Sequence, residues 1–265
     1  MNRGRMLGLL AFVGLVLTAC QNQNDDEETF GKRVRAYLLS HPEMLQEMSQ
    51  RLDARLASAE DANRQRAASL LPSLREAIER DPADFVANPG AAITVTEFYD
   101  YRCPHCAAAA PKVVALIKAN PDVRLVFKEM PIFGPTSEHA ARAALAVKNA
   151  GGDALGLYTE LMATHALDDG AIDRIALRRG ARPIDLAPGG LAAATAHIAA
   201  TASLFSKLSL EGTPAFIVGN QIILGEDMAA VGAAVARVQA KGVWAGRFKT
   251  GAIPPDKPGR RASLG

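Results

Sequence analysis

The chain has 265 residues, 49% of them hydrophobic, 22% charged and 5% aromatic, with a formal net charge of +2 and three cysteines. That length buries a full core without covalent staples, and the charge balance favours neither nucleic acid nor an acidic partner. Arg3 and Arg5 are the only charged residues before position 20, so the remainder is close to neutral.

Residues 1–19 read as a secretory signal peptide: a short basic segment, an apolar run from Met6 to Val16, then small residues, in all too short for a comfortable membrane span. The alternative is a buried N-terminal helix, but the chain turns polar at once from Gln21 to Asp26. Leu17-Thr18-Ala19-Cys20 resembles the lipobox of bacterial lipoproteins, which implies that Cys20 is acylated and becomes the new N-terminus. Several acyl chains on one residue anchor far better than one. Ordinary cleavage leaving Cys20 as a free thiol is the other reading. Gln21, where Asp would be the inner-membrane signal, resembles lipoproteins sorted to an outer membrane. The expected location is the periplasmic side of the envelope, lipid-anchored, with the outer membrane favoured.

Residues 20–29 lack apolar content and read as a lipidated tether. Residues 30–80 form a helical N-terminal segment. Ser40-His41-Pro42-Glu43 fits a capping box with proline in the first turn, so one helix ends near Leu39 and another begins at His41. Leu38, Leu45, Met48, Leu52 and Leu56 recur at helical spacing between charged residues. That narrow stripe either packs on the chain's own domain or joins identical chains in a homo-oligomer. Pro72 is expected to open a further short helix to about Arg80.

Asp81-Pro82 and Asn88-Pro89-Gly90 mark a change of regime, and residues 82–241 read as one domain. Residues 91–99 are a continuous run rich in Val, Ile, Thr and Phe, as suits a buried parallel strand. A helix to about residue 119 and a strand over 123–127 follow, giving a parallel pair with a crossover helix. Residues 137–208 read as a helical insertion, with helices over 137–150, 154–163, 169–179 and 191–208. Strands at 215–218 and 221–224 flank a Gly219-Asn220 turn, and a last helix spans about 227–240. Residues 246–265, rich in proline and glycine, are expected to be a flexible tail. The fold class is α/β with a helical insertion.

With Cys20 assigned to lipid, Cys103 and Cys106 remain, in Tyr101-Arg102-Cys103-Pro104-His105-Cys106. The pair alone falls short of a structural zinc site, which takes four ligands, and the histidines at 41, 139, 165 and 197 are scattered. Copper or zinc held by the pair alone stays open as an alternative. The redox reading has more physical support. Cys103 leaves a strand and enters a helix, where unpaired N–H groups and the helix dipole favour a thiolate; His105 adds a donor or cation in the same turn, and Pro104 suits the first turn. Cys103 is then an exposed nucleophile, and Cys106, one turn on and pointing inward, the resolving thiol. Glu97 interrupts the apolar strand six residues earlier. A buried carboxylate there is costly without a partner or a task; an edge position reaching solvent is the other possibility. Pro111 inside the helix is expected to kink it.

Residues 95–106, from Val95 to Cys106, resemble the active-site strand and helix of the DsbA family, thioredoxin-fold thiol–disulfide oxidoreductases with a helical insertion. The resemblance covers about residues 82–241 and includes Gly212-Thr213-Pro214. It implies that Pro214 follows a cis bond and faces the redox-active Cys103–Cys106 disulfide, that Thr213 leaves its backbone free to pair with a substrate strand, and that Glu97 relays a proton to Cys106. Residues 34–43 resemble the stalk of the suppressor-of-copper-sensitivity disulfide proteins, DsbA-like enzymes that oligomerise and can act as isomerases.

The expected function is therefore an exported oxidoreductase that forms or exchanges disulfides in envelope proteins, with catalytic residues Cys103, Cys106, His105, Pro104, Glu97, Thr213 and Pro214. No cofactor or metal is expected. Partners would be reduced or misoxidised envelope proteins, a membrane redox partner and the bilayer through Cys20. The alternatives are an oligomeric isomerase linked to copper tolerance and a copper- or zinc-binding lipoprotein without turnover.

Overall fold

A computed structural model describes residues 28–183 and 192–249, with side chains placed up to residue 241 of the last helix. The expected signal peptide, Cys20 and most of the expected tether lie outside the described residues, as do residues 184–191 and 250–265. The chain divides into two compact units at Ala62 and Asn63.

In the first unit, residues 28–40 form helix α1, and α2 (Glu43–Glu79) begins after a break at His41-Pro42. The break has a local cause, since a residue preceding proline is pushed out of the helical region. Ser40 Oγ donates to Tyr37 O at 2.9 Å, and the Tyr37 and His41 rings stack at 4.2 Å. Leu45, Met48, Leu52 and Leu56 are each more than half exposed.

α2 does not restart at Pro72; the proline lies inside one continuous helix. An internal proline loses one backbone hydrogen bond and crowds the preceding turn. Here the surrounding turns bury Ala67, Leu71 and Ile78, and that burial offsets the loss. The last turns of α2 belong to the second unit, so the compact boundary lies near residue 62, earlier than the expected end of the N-terminal segment at 80.

The second unit is built on a five-stranded sheet of order β1-β3-β2-β4-β5. Its strands are β1 (Phe85–Ala87), β2 (Ile93–Tyr99), β3 (Val123–Glu129), β4 (Ala215–Val218) and β5 (Gln221–Leu224). β2 and β3 run parallel through the crossover helix α3 (Pro104–Ala119), and the other pairs are antiparallel. β1 was not anticipated: three residues show no period, and its partner lies some forty positions on. Phe85 stacks on Phe127 at 5.0 Å.

The insertion comprises α4 (Pro135–Asn149), α5 (Ala154–Ala163), α6 (Asp169–Arg178) and α7 (Ala192–Lys207). Asp153 and Asp168 cap α5 and α6 by accepting from Gly156 N and Ala171 N, which satisfies otherwise orphaned donors. α8 (Met228–Lys249) continues through residues 246–249, which the sequence reading assigned to the tail. No helix among the described residues is long and apolar enough to cross a membrane.

Two cores flank the sheet. One joins α3, α5, α6 and α8 to Val95, Tyr99, Leu125 and Phe127; the other joins Leu71 and Ile78 of α2 and Leu204 and Phe205 of α7 to Phe98, Ala215 and Ile217. The alternation of strand side chains thus aims Glu97, Tyr99 and Glu129 at the first core and Thr96, Arg124 and Lys128 at the second.

Candidate active site

Cys103 is the N-cap of α3, with extended backbone at φ −75°, ψ 120° and Pro104 in the first turn; Ala107 N donates to Cys103 O at 3.0 Å. The turn before it is braced by Asp100, which is buried. Its carboxylate accepts from Arg102 N, Ile132 N, Phe133 N and Ser137 Oγ at 2.6–3.0 Å, and its carbonyl accepts from Cys103 N at 3.1 Å. Side chain and main chain of one residue therefore set the entry of the chain into α3.

Both thiols are free. The sequence argument expects an exposed Cys103, but the residue is only 2% exposed. The reason is the Thr213–Pro214 segment, whose peptide bond is cis: Cys103 Sγ donates to Thr213 O at 3.1 Å. The carbonyl expected to await a substrate strand is thus already engaged by the thiol. Cys106 is fully buried, as its inward position in the turn requires. Burial pushes its thiol well above the usual range, opposed in part by the Asp100 backbone and the Thr213 side chain. Thr213 Oγ1 is buried and has no hydrogen-bond partner.

Pro104 and His105 are exposed. The His105 ring turns toward the loop before α8, with Nδ1 3.6 Å from Glu226 Oε2, a solvent-facing pair. Pro111 is accommodated inside α3.

Glu97 lies in the central strand, opposite Phe127 of β3 and Phe216 of β4, with no exposed surface. The edge-strand alternative is thereby removed. Tyr158 of α5 donates to its carboxyl, 3.3 Å from Oε1 and 3.2 Å from Oε2. Burial raises Glu97 to about 8, against the lowering effect of the Tyr158 hydrogen bond, as desolvation of an acid without a counter-ion requires. A second acid, Glu129, is also buried. Its Oε1 accepts from the hydroxyls of Tyr99 and Tyr101, and its Oε2 has no partner. Burial holds this carboxyl well above its ordinary range.

A cleft of about 480 Å³ opens beside Cys103, walled by Tyr101, Arg102 and Pro104 on one side and by Met162, His165 and Leu167 on the other. The far wall is the α5–α6 loop. Among the described residues no group of three His, Cys, Asp or Glu side chains converges on a metal position.

Cys103, Cys106, Glu97, Thr213 and Pro214 are therefore assembled at one place, with His105 and Pro104 on its rim. The sequence reading missed Tyr158, Glu129, the Tyr99–Tyr101 pair and His165. The bonds from the three tyrosines to Glu129 and Glu97 span 28–61 positions, and no local period marks them. The one available signal was the tyrosines' placement in or beside apolar runs, where a buried hydroxyl demands a partner.

Residues 94–234 match the DSBA-like thioredoxin domain, and residues 26–59 match the N-terminal domain of the copper resistance protein ScsC. A thioredoxin-like oxidoreductase from Silicibacter pomeroyi DSS-3 is 35% identical, over 63% of this chain and 98% of its own, with a TM-score of 0.56. ScsC of Proteus mirabilis in a transitional conformation is 28% identical, over 82% of this chain and 98% of its own, at a TM-score of 0.61. A periplasmic thioredoxin-like protein from Salmonella enterica serovar Typhimurium is 27% identical, over 62% and 94%, at 0.56. No curated protein matches the chain at a significant level. The chain belongs to the DSBA-like thioredoxin-domain family of thiol–disulfide oxidoreductases.

Proposed function

We propose that this oxidoreductase forms or exchanges disulfides in proteins of the cell envelope, with Cys103 as the sulfur that meets the substrate and Cys106 as the resolving thiol. The observation that carries the reading is the stacking of functions in depth: a cysteine at the start of α3, a second buried beneath it, and a protonatable acid behind both. In the oxidising direction, a substrate thiolate attacks Cys103 Sγ of the Cys103–Cys106 disulfide. The S–S bond breaks and Cys106 departs as a thiolate. A departing thiolate in a site that disfavours its charge needs a proton, and Glu97, which keeps its own to about pH 8, supplies it. The second substrate thiol then attacks the mixed disulfide and Cys103 leaves. Two substrate thiols become one disulfide and the enzyme is left as a dithiol. Run backwards, Glu97 accepts the Cys106 proton.

Pro104 shapes the first turn of α3. His105 supports negative charge at Cys103, and the Thr213–Pro214 segment presents the backbone that an extended substrate would meet. The test is turnover with a reduced peptide: Cys103→Ala abolishes it. Undiminished exchange in that variant excludes the mechanism, and tight stoichiometric copper binding without turnover would replace it with the metal-binding reading.

A second reading, isomerisation by an oligomer, is favoured by the exposed stripe Leu45, Met48, Leu52 and Leu56 together with the ScsC-like match at 26–59. Contiguous exposed apolar surface marks interaction sites. Refolding of scrambled ribonuclease, run beside a size measurement with and without residues 30–62, tests it. Joint loss of oligomer and isomerase activity supports isomerisation; activity that survives in the monomer excludes that arrangement. The periplasmic relative and the sequence signals at 1–20 support a periplasmic enzyme anchored through Cys20, in the outer membrane, and recharged by a membrane redox partner.

A further inference from the structure

The helical insertion of this family member meets the buried acid of the redox centre through the side chain of Tyr158. Tyr158, on α5, is 1% exposed, and its ring is held on three sides: Phe127 at 4.8 Å, Tyr99 at 5.2 Å and Tyr101 at 6.3 Å, all near edge-on. The phenol ring is thus locked by packing alone, independently of its hydroxyl. That hydroxyl lies almost equidistant from the two oxygens of Glu97, and among the described residues no ion pair reaches Glu97. The other titratable groups around this pair are Cys106 from α3, Tyr99 and Tyr101 from β2 and the turn after it, and, through those tyrosines, Glu129 from β3.

We propose that Tyr158 is a positioning residue for the proton transfer between Glu97 and Cys106: its hydroxyl holds the Glu97 carboxyl in place in both protonation states and lets it ionise in a site without a counter-ion. The chemistry follows from what each group can donate. A phenol oxygen both donates and accepts. Toward the neutral acid it accepts the carboxyl O–H from one oxygen while facing the other. Toward the carboxylate it donates, and a hydrogen bond to a charged acceptor is about twice as strong as a neutral one. The hydroxyl therefore favours the anion, and through it the insertion lowers, against burial, the pH at which the buried acid can give up or take back its proton. The inference rests on the proton-transfer reading above.

The test is Tyr158→Phe, which leaves the ring packing and removes one oxygen, with Tyr99→Phe as a control that removes an equally buried hydroxyl bonded to Glu129. Two quantities are read on the full chain: the titration midpoint of Glu97 by carboxyl NMR, assigned by loss of the signal in Glu97→Gln, and the pH profile of mixed-disulfide resolution by Cys106. In Tyr158→Phe the midpoint rises by about one pH unit, the size expected for one hydrogen bond to a charge, and the resolution profile moves with it. In Tyr99→Phe the midpoint stays in place. An unmoved midpoint in Tyr158→Phe, or equal movement in both variants, overturns the assignment. A resolution profile that Glu97→Gln leaves unchanged sinks the proton-transfer reading instead, and does so whatever the midpoint of Tyr158→Phe shows.

Discussion

The two faces of the central sheet bury ionisable groups at the same depth and treat them in opposite ways. On the face toward α2 and α7, Lys128 Nζ pairs with Asp84 Oδ2 at 2.6 Å, and His197 Nε2 meets Asp84 Oδ1 at 2.9 Å. The same face closes the C-terminal end of α2. Lys128, Thr96 and Arg124 donate to the carbonyls of Ala77, Ile78 and Glu79, which would otherwise be left without intrahelical partners. On the face toward α3 and α5, Glu97 and Glu129 meet only phenol hydroxyls. A charge buried with its counter-ion is a structural joint, costly only when one partner is removed. An acid buried without one keeps its proton and becomes a reagent. The strands supply both by alternation, since Lys128 and Glu129 are neighbours in sequence and lie on opposite sides.

The sharpest way to break this contrast is Lys128→Met. It removes the cation from Asp84 Oδ2, leaves that buried carboxylate with His197 alone, and is expected to cost about 3–5 kcal/mol, read as a drop in the urea midpoint. A loss under 1 kcal/mol would mean that the two faces do not differ in kind. Glu97→Gln should act with the opposite sign. The folded chain retains the Glu97 proton up to about pH 8, whereas the unfolded chain releases it near 4.5. Between those values the folded state binds more protons, so the parent loses stability as pH rises, by about 1.4 kcal/mol per unit from this group. The variant lacks that slope: it gains roughly 3 kcal/mol over the parent at pH 7 and converges with it near pH 4. Parallel stability curves from pH 4 to 8 would contradict the burial argument. Thr96→Val, which frees one carbonyl at the end of α2, should be the mildest change, about 1 kcal/mol, with thiol exchange unaffected.

What the sequence makes legible here is whatever is local. Cys103-Pro104-His105-Cys106, the Thr213-Pro214 dipeptide and the order of strands and insertion helices follow from neighbours within a few positions. Glu97 stood out because a carboxylate in an apolar run is anomalous by itself. The missing pieces are relations across the fold. Tyr158 lies 61 positions from Glu97 and reads on its own as one more apolar position of α5. Pro72 carries a strong local signal for a helix start, and tertiary burial of Leu71 and Ile78 overrides it. The burial of Cys103 is the same kind of miss, because its cover comes from Thr213, 110 residues later.

That cover has a practical consequence at the bench. A cysteine 2% exposed whose thiol is engaged by a carbonyl reacts sluggishly with bulky maleimide tags while the chain is folded. A gel-shift count taken on native extracts would then score the dithiol as though it were already bridged. Acid quenching followed by labelling in denaturant recovers both sulfurs, and the gap between the two counts measures how far the fold shields the pair.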